Sequence, residues 1–304
     1  MRIAHTTLVD NLAQAVKDQK SLLAQSQIQI ASGQRNLRRS DDTAAAREIS
    51  TLENDQTQET QYQKNIDHAV FWSQVTDGKL DNLNSLAQRI QELSVAARNG
   101  TQPDSYRKDL AEEANNILED IYNLANTTVD GVPIFGGTDT ANAPFTATRD
   151  AAGDITAVTF NANNLLRKVQ IGATATAEYG VAGGGADGVF ESTDKATNLF
   201  TTIANLRDVL RTGEVPDDPT AQAVEVATDN VIDKVVDNGL KQKRFQGLAE
   251  KFLDVEMERR NRISQLKDVD IAQAAIELSQ MQASYQASLQ VAARIGSMNI
   301  MNFL

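Results

Sequence analysis

Apolar positions at both ends of the chain repeat every seven residues. Near the start, Val9, Val16, Leu23, Ile30 and Leu37 keep that step, with Leu8, Leu12, Ala15 and Leu22 beside them. Near the end, Ile271, Leu278, Tyr285 and Ala292 form one such row. Ala274, Met281, Ser288 and Ile295 form a second row, with Leu289 alongside. Such a period places one apolar seam along a helix. Of the 34 residues from Ile271 to Leu304, 20 are apolar and only Glu277 and Arg294 carry charge. Gln, Ser and Ala fill the other faces, whereas a helix bordering water usually carries charged residues there. The simplest arrangement pairs the two ends as one coiled coil whose outer faces are covered by other molecules. Two ordinary core helices of a single bundle are the alternative reading. An interfacial membrane helix would want Lys and Arg on its polar face, and neither segment has that.

Between these ends the helical period continues from Thr43 to about Asn99, where Asn99-Gly100-Thr101-Gln102-Pro103 stops it. Gly33 closes the first helix, and Ser40, Asp41 and Asp42 are cap candidates for the next. A returning helix covers about Asp104–Asn126, its short connection making it an antiparallel neighbour. The pattern then changes. All five prolines lie between Pro103 and Pro219, and ten of the 17 glycines between Gly131 and Gly188. Short alternating runs at Val132–Phe135, Phe145–Thr148, Ile155–Phe160 and Lys168–Ile171 predict strands, the middle two forming a hairpin around Asp150–Gly153. The run Ala182–Gly188 predicts a flexible loop. Helix resumes over about 196–211 and 220–264. The fold class is therefore mainly α: paired terminal helices, a long antiparallel bundle and a small β-rich insert. Expected boundaries are 1–40 with 265–304 for the coiled coil, 41–130 with 195–264 for a helical rod, and 131–194 for the β-rich lobe.

Composition narrows the function. A net charge of −12 and a pI near 4.7 argue against nucleic acid as partner, since phosphate contacts need basic patches. Two local basic clusters, Arg35/Arg38/Arg39 and Arg259/Arg260/Arg262, read as partners for acids on adjacent helices or subunits. The absence of cysteine removes disulfides and thiolate metal sites. No apolar run approaches a membrane span, and Met1–Asp10 lacks the apolar core of a secretory signal. His5 and His68 fit no metal or triad motif. The acid pairs Asp41/Asp42 and Asp268/Asp270 sit where acids cap helices and favour their dipoles. Gly183-Gly184-Gly185 lacks the Lys-Ser/Thr of a phosphate loop. No catalytic constellation, metal site or cofactor motif emerges, so the chain does not read as an enzyme.

Several stretches carry a resemblance: Met1-Arg2-Ile3, Ile30-Ala31-Ser32-Gly33-Gln34-Arg35, Ser40-Asp41-Asp42, Ala97-Arg98-Asn99-Gly100-Thr101 and Leu124-Ala125-Asn126. The most diagnostic run is Gly131-Val132-Pro133-Ile134-Phe135-Gly136-Gly137-Thr138, followed by Pro144-Phe145. At the far end come Asp268-Val269-Asp270, the Gln/Ala heptads and an apolar tip, Asn302-Phe303-Leu304. In these the chain resembles the flagellin superfamily, and within it the branch found at the hook–filament junction of bacterial flagella. It departs from the family's pattern at Thr43, where Pro is common, and at Val132–Ile134.

The resemblance implies a structural role in filament assembly and motility, export through the flagellum's own type III channel without a cleaved signal peptide, and an extracellular location. Implied partners are hook-associated protein 1, flagellin, copies of the chain itself in a ring, and a flagellar export chaperone; nucleic acid and membrane are not among them. It also implies a coiled coil lining the inner tube, long helices in the outer wall and a lobe projecting outward. The assembly interface is then expected on Leu8, Leu12, Val16, Leu23, Ile30, Ile271, Leu278, Met281, Tyr285, Leu289, Ile295, Phe303 and Leu304. The family motif falls on Gly131, Phe135, Gly136, Gly137, Ser40, Asp41 and Asp42. Filament flagellin is the alternative reading. A sugar- or surface-binding role for the lobe lacks an aromatic platform.

Overall fold

A computed structural model describes residues 2–36, 38–195 and 197–301, with the side chains of 2–6, 8, 9 and 295–301 left aside. Its elements are α1 (Arg2–Ser32), α2 (Thr43–Ala97), α3 (Asp104–Ala125), β1 (Thr128–Val129), β2 (Val132–Pro133), β3 (Phe145–Arg149), β4 (Ile155–Phe160), β5 (Arg167–Gln170), β6 (Thr176–Tyr179), β7 (Glu191–Ser192), β8 (Thr197–Asn198), α4 (Leu199–Thr212), α5 (Asp218–Lys267) and α6 (Ile271–Met301). The chain divides into two compact units, residues 1–58 with 254–304, and residues 59–253. Helices α2 and α5 contribute residues to both.

In the first unit α1 packs along α6. The direction is antiparallel: Gln19 meets Ser284 and Ser288, while the Val269 N–H donates to the Gly33 carbonyl at 2.9 Å. Gly33 holds φ +70, a left-handed conformation that suits glycine at a helix end. The Asp42 carboxylate accepts from the Ala45 N–H at 2.9 Å and so caps α2. The Asp270 carboxylate accepts from Ala272 and Gln273 and caps α6. These acids are therefore explained by helix starts. Glu48 receives Arg262 at 2.7 Å.

The second unit holds one hydrophobic core, from Ile66 on α2 through α3, α4 and the hairpins to Phe245 on α5. Five phenylalanines form its centre. Phe145 lies 5.1 Å from Phe160, 5.2 Å from Phe190 and 5.4 Å from Phe200, and Phe135 meets Phe190 edge-on at 5.0 Å. Burying each ring stabilises by roughly 1.5–3 kcal/mol, so strands and helices here share one core.

The strands form four two-stranded antiparallel pairs, β1-β2, β3-β4, β5-β6 and β7-β8. The β3-β4 hairpin pairs Phe145 with Phe160 and shifts register between Thr148 and Arg149. The first pairing involves Thr128–Val129, which lies outside the sequence-expected strands, and α2 runs unbroken through Gly78.

The glycine run differs from its expected flexibility. Gly183 and Gly184 are buried. A Cβ on Gly183 would stand 2.7 Å from the Phe135 carbonyl and 2.9 Å from the Phe145 ring, and one on Gly184 would stand 2.7 Å from the Phe160 ring. The Gly183 N–H donates to the Phe135 carbonyl at 3.0 Å, and its own carbonyl accepts from Phe190 at 3.0 Å. Glycine serves close approach at this point.

Buried cations lock the unit. Arg207, 2% exposed, donates to the Asn115 side chain at 2.9 Å and the Ile155 carbonyl at 2.8 Å. Arg107 donates to the carbonyls of Ala97 and Gly213, at the ends of α2 and α4, each at 3.2 Å. Positive charge is favoured at helix C-termini.

Candidate assembly interface

Among the described side chains of α1, the half-buried or buried positions are Leu12, Val16, Gln19, Leu23, Ser26, Gln29 and Ile30. On α6 they are Ala274, Leu278, Met281, Tyr285, Ser288 and Ala292. Gln29 apart, both rows step by four and three in turn, the spacing of an a/d seam. Of the residues expected at the interface, Leu12, Val16, Leu23, Ile30, Leu278, Met281 and Tyr285 thus sit on the seam inside one chain. Leu289 does not: it flanks the seam and is 42% exposed, while Ile271, in step with the seam at the first residue of α6, is 59% exposed. The side chains of Leu8 and Ile295, and all of Phe303 and Leu304, lie outside the described residues.

The seam is not wholly apolar. The Gln19 side-chain amide donates to Ser284 at 2.5 Å, and Ser288 donates to the Gln19 oxygen at 2.8 Å. The heptads include Ala274 and Ser288, but an apolar count passes over Gln19 and Ser26.

A second row runs along α6 away from α1. Ile276, Ala283, Ala287 and Val291 share one side of the helix and are exposed, as are Leu22 and Ile28 on α1. Small and apolar residues without intervening charge leave this surface unprotected from association.

The motif residues also have places. Gly131 holds φ +79 and Gly137 φ +62. Phe135 is buried in the aromatic cluster. A Cβ on Gly136 would stand 3.0 Å from the Asp139 carbonyl, and one on Gly137 would stand 2.2 Å from the Asn163 carbonyl. The Arg167 guanidinium donates to the Gly137 and Pro133 carbonyls at 2.9 and 2.8 Å and lies 4.1 Å over the Trp72 ring. Burial lowers the pKa of that guanidinium. The glycines therefore serve a tight turn packed against Asn163 and Arg167. Asp42 is a cap, while Asp41 accepts from the Arg38 N–H at 2.9 Å and Ser40 is exposed.

Chemistry is sparse elsewhere. Among the described residues, no group of three or more His, Cys, Asp or Glu side chains could hold a metal ion, and no helix is long and apolar enough to cross a membrane. His68 stacks near Trp72 at 6.3 Å and meets Tyr179 edge-on at 5.9 Å.

Known proteins resemble this chain over most of its length. The bacterial flagellin N-terminal helical region matches residues 3–140. That stretch resembles the helical region of flagellins. Over 275 residues the chain is 28% identical to flagellar hook-associated protein 3 of Salmonella typhimurium, covering 85% of this chain and 86% of that one. Flagellin similarity is more local: phase 1 flagellin of Salmonella naestved is 39% identical over 69 residues, 23% of this chain and 14% of that protein. The crystal structure of flagellar hook-associated protein 3 from Legionella pneumophila superposes with a TM-score of 0.62 at 12% identity, covering 72% of this chain and 98% of that one. It shares the fold. Over the matched 72% of this chain, the long helices and small strand pairs follow the fold of that structure.

Proposed function

We infer that this chain is a structural component of the bacterial flagellum, an adaptor that joins the hook, through hook-associated protein 1, to the flagellin filament. The observation that carries the reading is the extent of its similarity to hook-associated protein 3, which spans 85% of this chain. A filament flagellin is the second reading, and the 69-residue similarity supports it over 23% of the chain only. The terminal segments 1–40 and 265–304 are assigned to assembly because outer apolar positions such as Leu22, Ile28, Ile276 and Val291 are exposed among the described residues. Export would proceed unfolded through the flagellar channel, with a chaperone covering the C-terminal apolar helix beforehand. The molecule is read as structural, without catalysis or cofactor.

Complementation tests the adaptor role. In a strain lacking hook-associated protein 3, the chain is expected to restore filaments and swimming. Sedimentation of purified protein with filament seeds separates the readings: long self-grown filaments would establish flagellin and sink the adaptor.

A further inference from the structure

Arg35, Arg38 and Arg39 follow α1, and none of their side chains has a hydrogen bond or ion pair among the described residues. The Arg259/Arg260/Arg262 cluster differs: Arg260 pairs with Glu256 and Arg262 with Glu48. Arg38 and Arg39 line a cleft of about 200 Å³ with Lys267, whose ammonium is likewise unpaired, and its wall includes Asp42, Glu53, Ile49 and Leu266; the Asp42 carboxylate is engaged in capping α2. Three cations against two acids leave the cleft net positive, and with its apolar wall it suits an acidic helix that has apolar residues among its acids.

The chain carries such a face. On α5, Glu225 and Asp229 are four residues apart, exposed, and unpaired among the described residues. Val226 and Ile232 are exposed beside them. Acidic surplus is concentrated in the same unit: residues 59–253 hold 28 Asp and Glu against 17 Lys and Arg, whereas residues 1–58 with 254–304 hold 13 against 12.

We propose that the Arg38/Arg39/Lys267 cleft of one copy takes the Glu225/Asp229 face of α5 from a second copy of this chain. Each copy then offers one cationic and one acidic surface, a head-to-tail contact that closes into a ring when the rotation permits. Charge complementarity of this kind fixes register and rejects wrong partners, because like charges placed together repel. For a chain of net charge −12, it also offsets the mutual repulsion of neighbouring copies. The contact rests on the junction reading, since it requires copies side by side.

The absence of cysteine makes the contact directly testable. A full-length chain carrying Arg39→Cys and Asp229→Cys is expressed in the strain used for complementation, and its flagella are oxidised. The expected products are disulfide-linked species at twice the 33.1 kDa chain mass and its higher multiples, absent from unassembled protein. Charge reversal gives the second arm. Arg38→Glu with Arg39→Glu is expected to cut incorporation at least tenfold, and adding Glu225→Arg with Asp229→Arg to restore it. Circular dichroism confirms that each variant folds. Filament-bearing flagella without the cross-link, a cross-link to a protein of different mass, or full incorporation of the Arg38→Glu/Arg39→Glu chain overturns the proposal. The junction reading is scored separately, by whether the unaltered chain restores filaments.

Discussion

Gln19 and Ser288, 269 positions apart in sequence, meet across the terminal helix pair, the serine hydroxyl donating to the glutamine oxygen at 2.8 Å. A polar layer in an apolar seam sets register and lowers stability. Replacing Gln19 with Leu leaves no buried orphan, because the single Ser288 proton then turns to the Ser284 carbonyl, 2.9 Å away. The Gln19→Leu chain should hold its terminal helices about 1 kcal/mol more firmly. Thermal loss of helical ellipticity, compared with the parent, checks this.

Arg207 is the reverse case, since its guanidinium satisfies both Asn115 and the Ile155 carbonyl inside the core. Arg207→Ala removes both bonds and leaves a void. The cost should be about 3 kcal/mol in chemical denaturation. Its contact with Asp208 contributes little, because that carboxylate is largely exposed.

Glycine substitutions should divide by environment. Gly183→Ala forces a methyl against the Phe135 carbonyl and the Phe145 ring, costing roughly 1–3 kcal/mol. Gly78→Ala and Gly247→Ala meet nothing within 4 Å in mid-helix and should each stabilise by about 1 kcal/mol. Denaturant midpoints of the three variants provide the check, and equal shifts would contradict the packing described.

The same contrast shows what was legible in the sequence. Heptad spacing located the seam because a period of seven survives any tertiary context that pairs two helices. Asp42 and Asp270 were legible as caps, and the β3-β4 hairpin followed from alternation around Asp150–Gly153. Ala182–Gly188 was misread because composition reports what a backbone can do alone, whereas Phe135, Phe145 and Phe160 decide what packs on it. Gln19 escaped an apolar count because its role depends on Ser284 and Ser288 across the pair. Leu289 lies beside the heptad rows and flanks the seam, since a stripe wider than two positions cannot all face one neighbour, whereas Ile271 keeps the step but is exposed as the first residue of α6.

Acid should loosen the hairpin from α4. Arg211 donates to Asp154 at 2.6 Å, and this bond holds the carboxyl below its ordinary value of 3.8. A depressed folded-state pKa contributes stability above the unfolded value and loses it as pH falls through the folded one. Stability should therefore decline below about pH 4, and Asp154→Asn should be less stable near neutrality with a shallower acid decline. Denaturant titrations at pH 7 and pH 3 measure the difference.

Deleting residues 271–304 should separate the two units' fates. The hydrophobic core of residues 59–253 draws its buried members from Ile66 to Phe245, none from α6. Helix α6 packs against α1, and both are 31 residues long. Without its partner, α1 loses the cover over Leu12, Val16, Leu23 and Ile30, and a lone amphipathic helix in water is marginal. The truncated chain should keep the calorimetric transition of the 59–253 unit while losing helical signal from both terminal helices. It should also fail to enter the flagellum, because both the seam and the outer Ile276–Val291 surface are gone. A lowered transition for the 59–253 unit would show that α6 supports it directly, and retained swimming would remove the terminal pair from assembly.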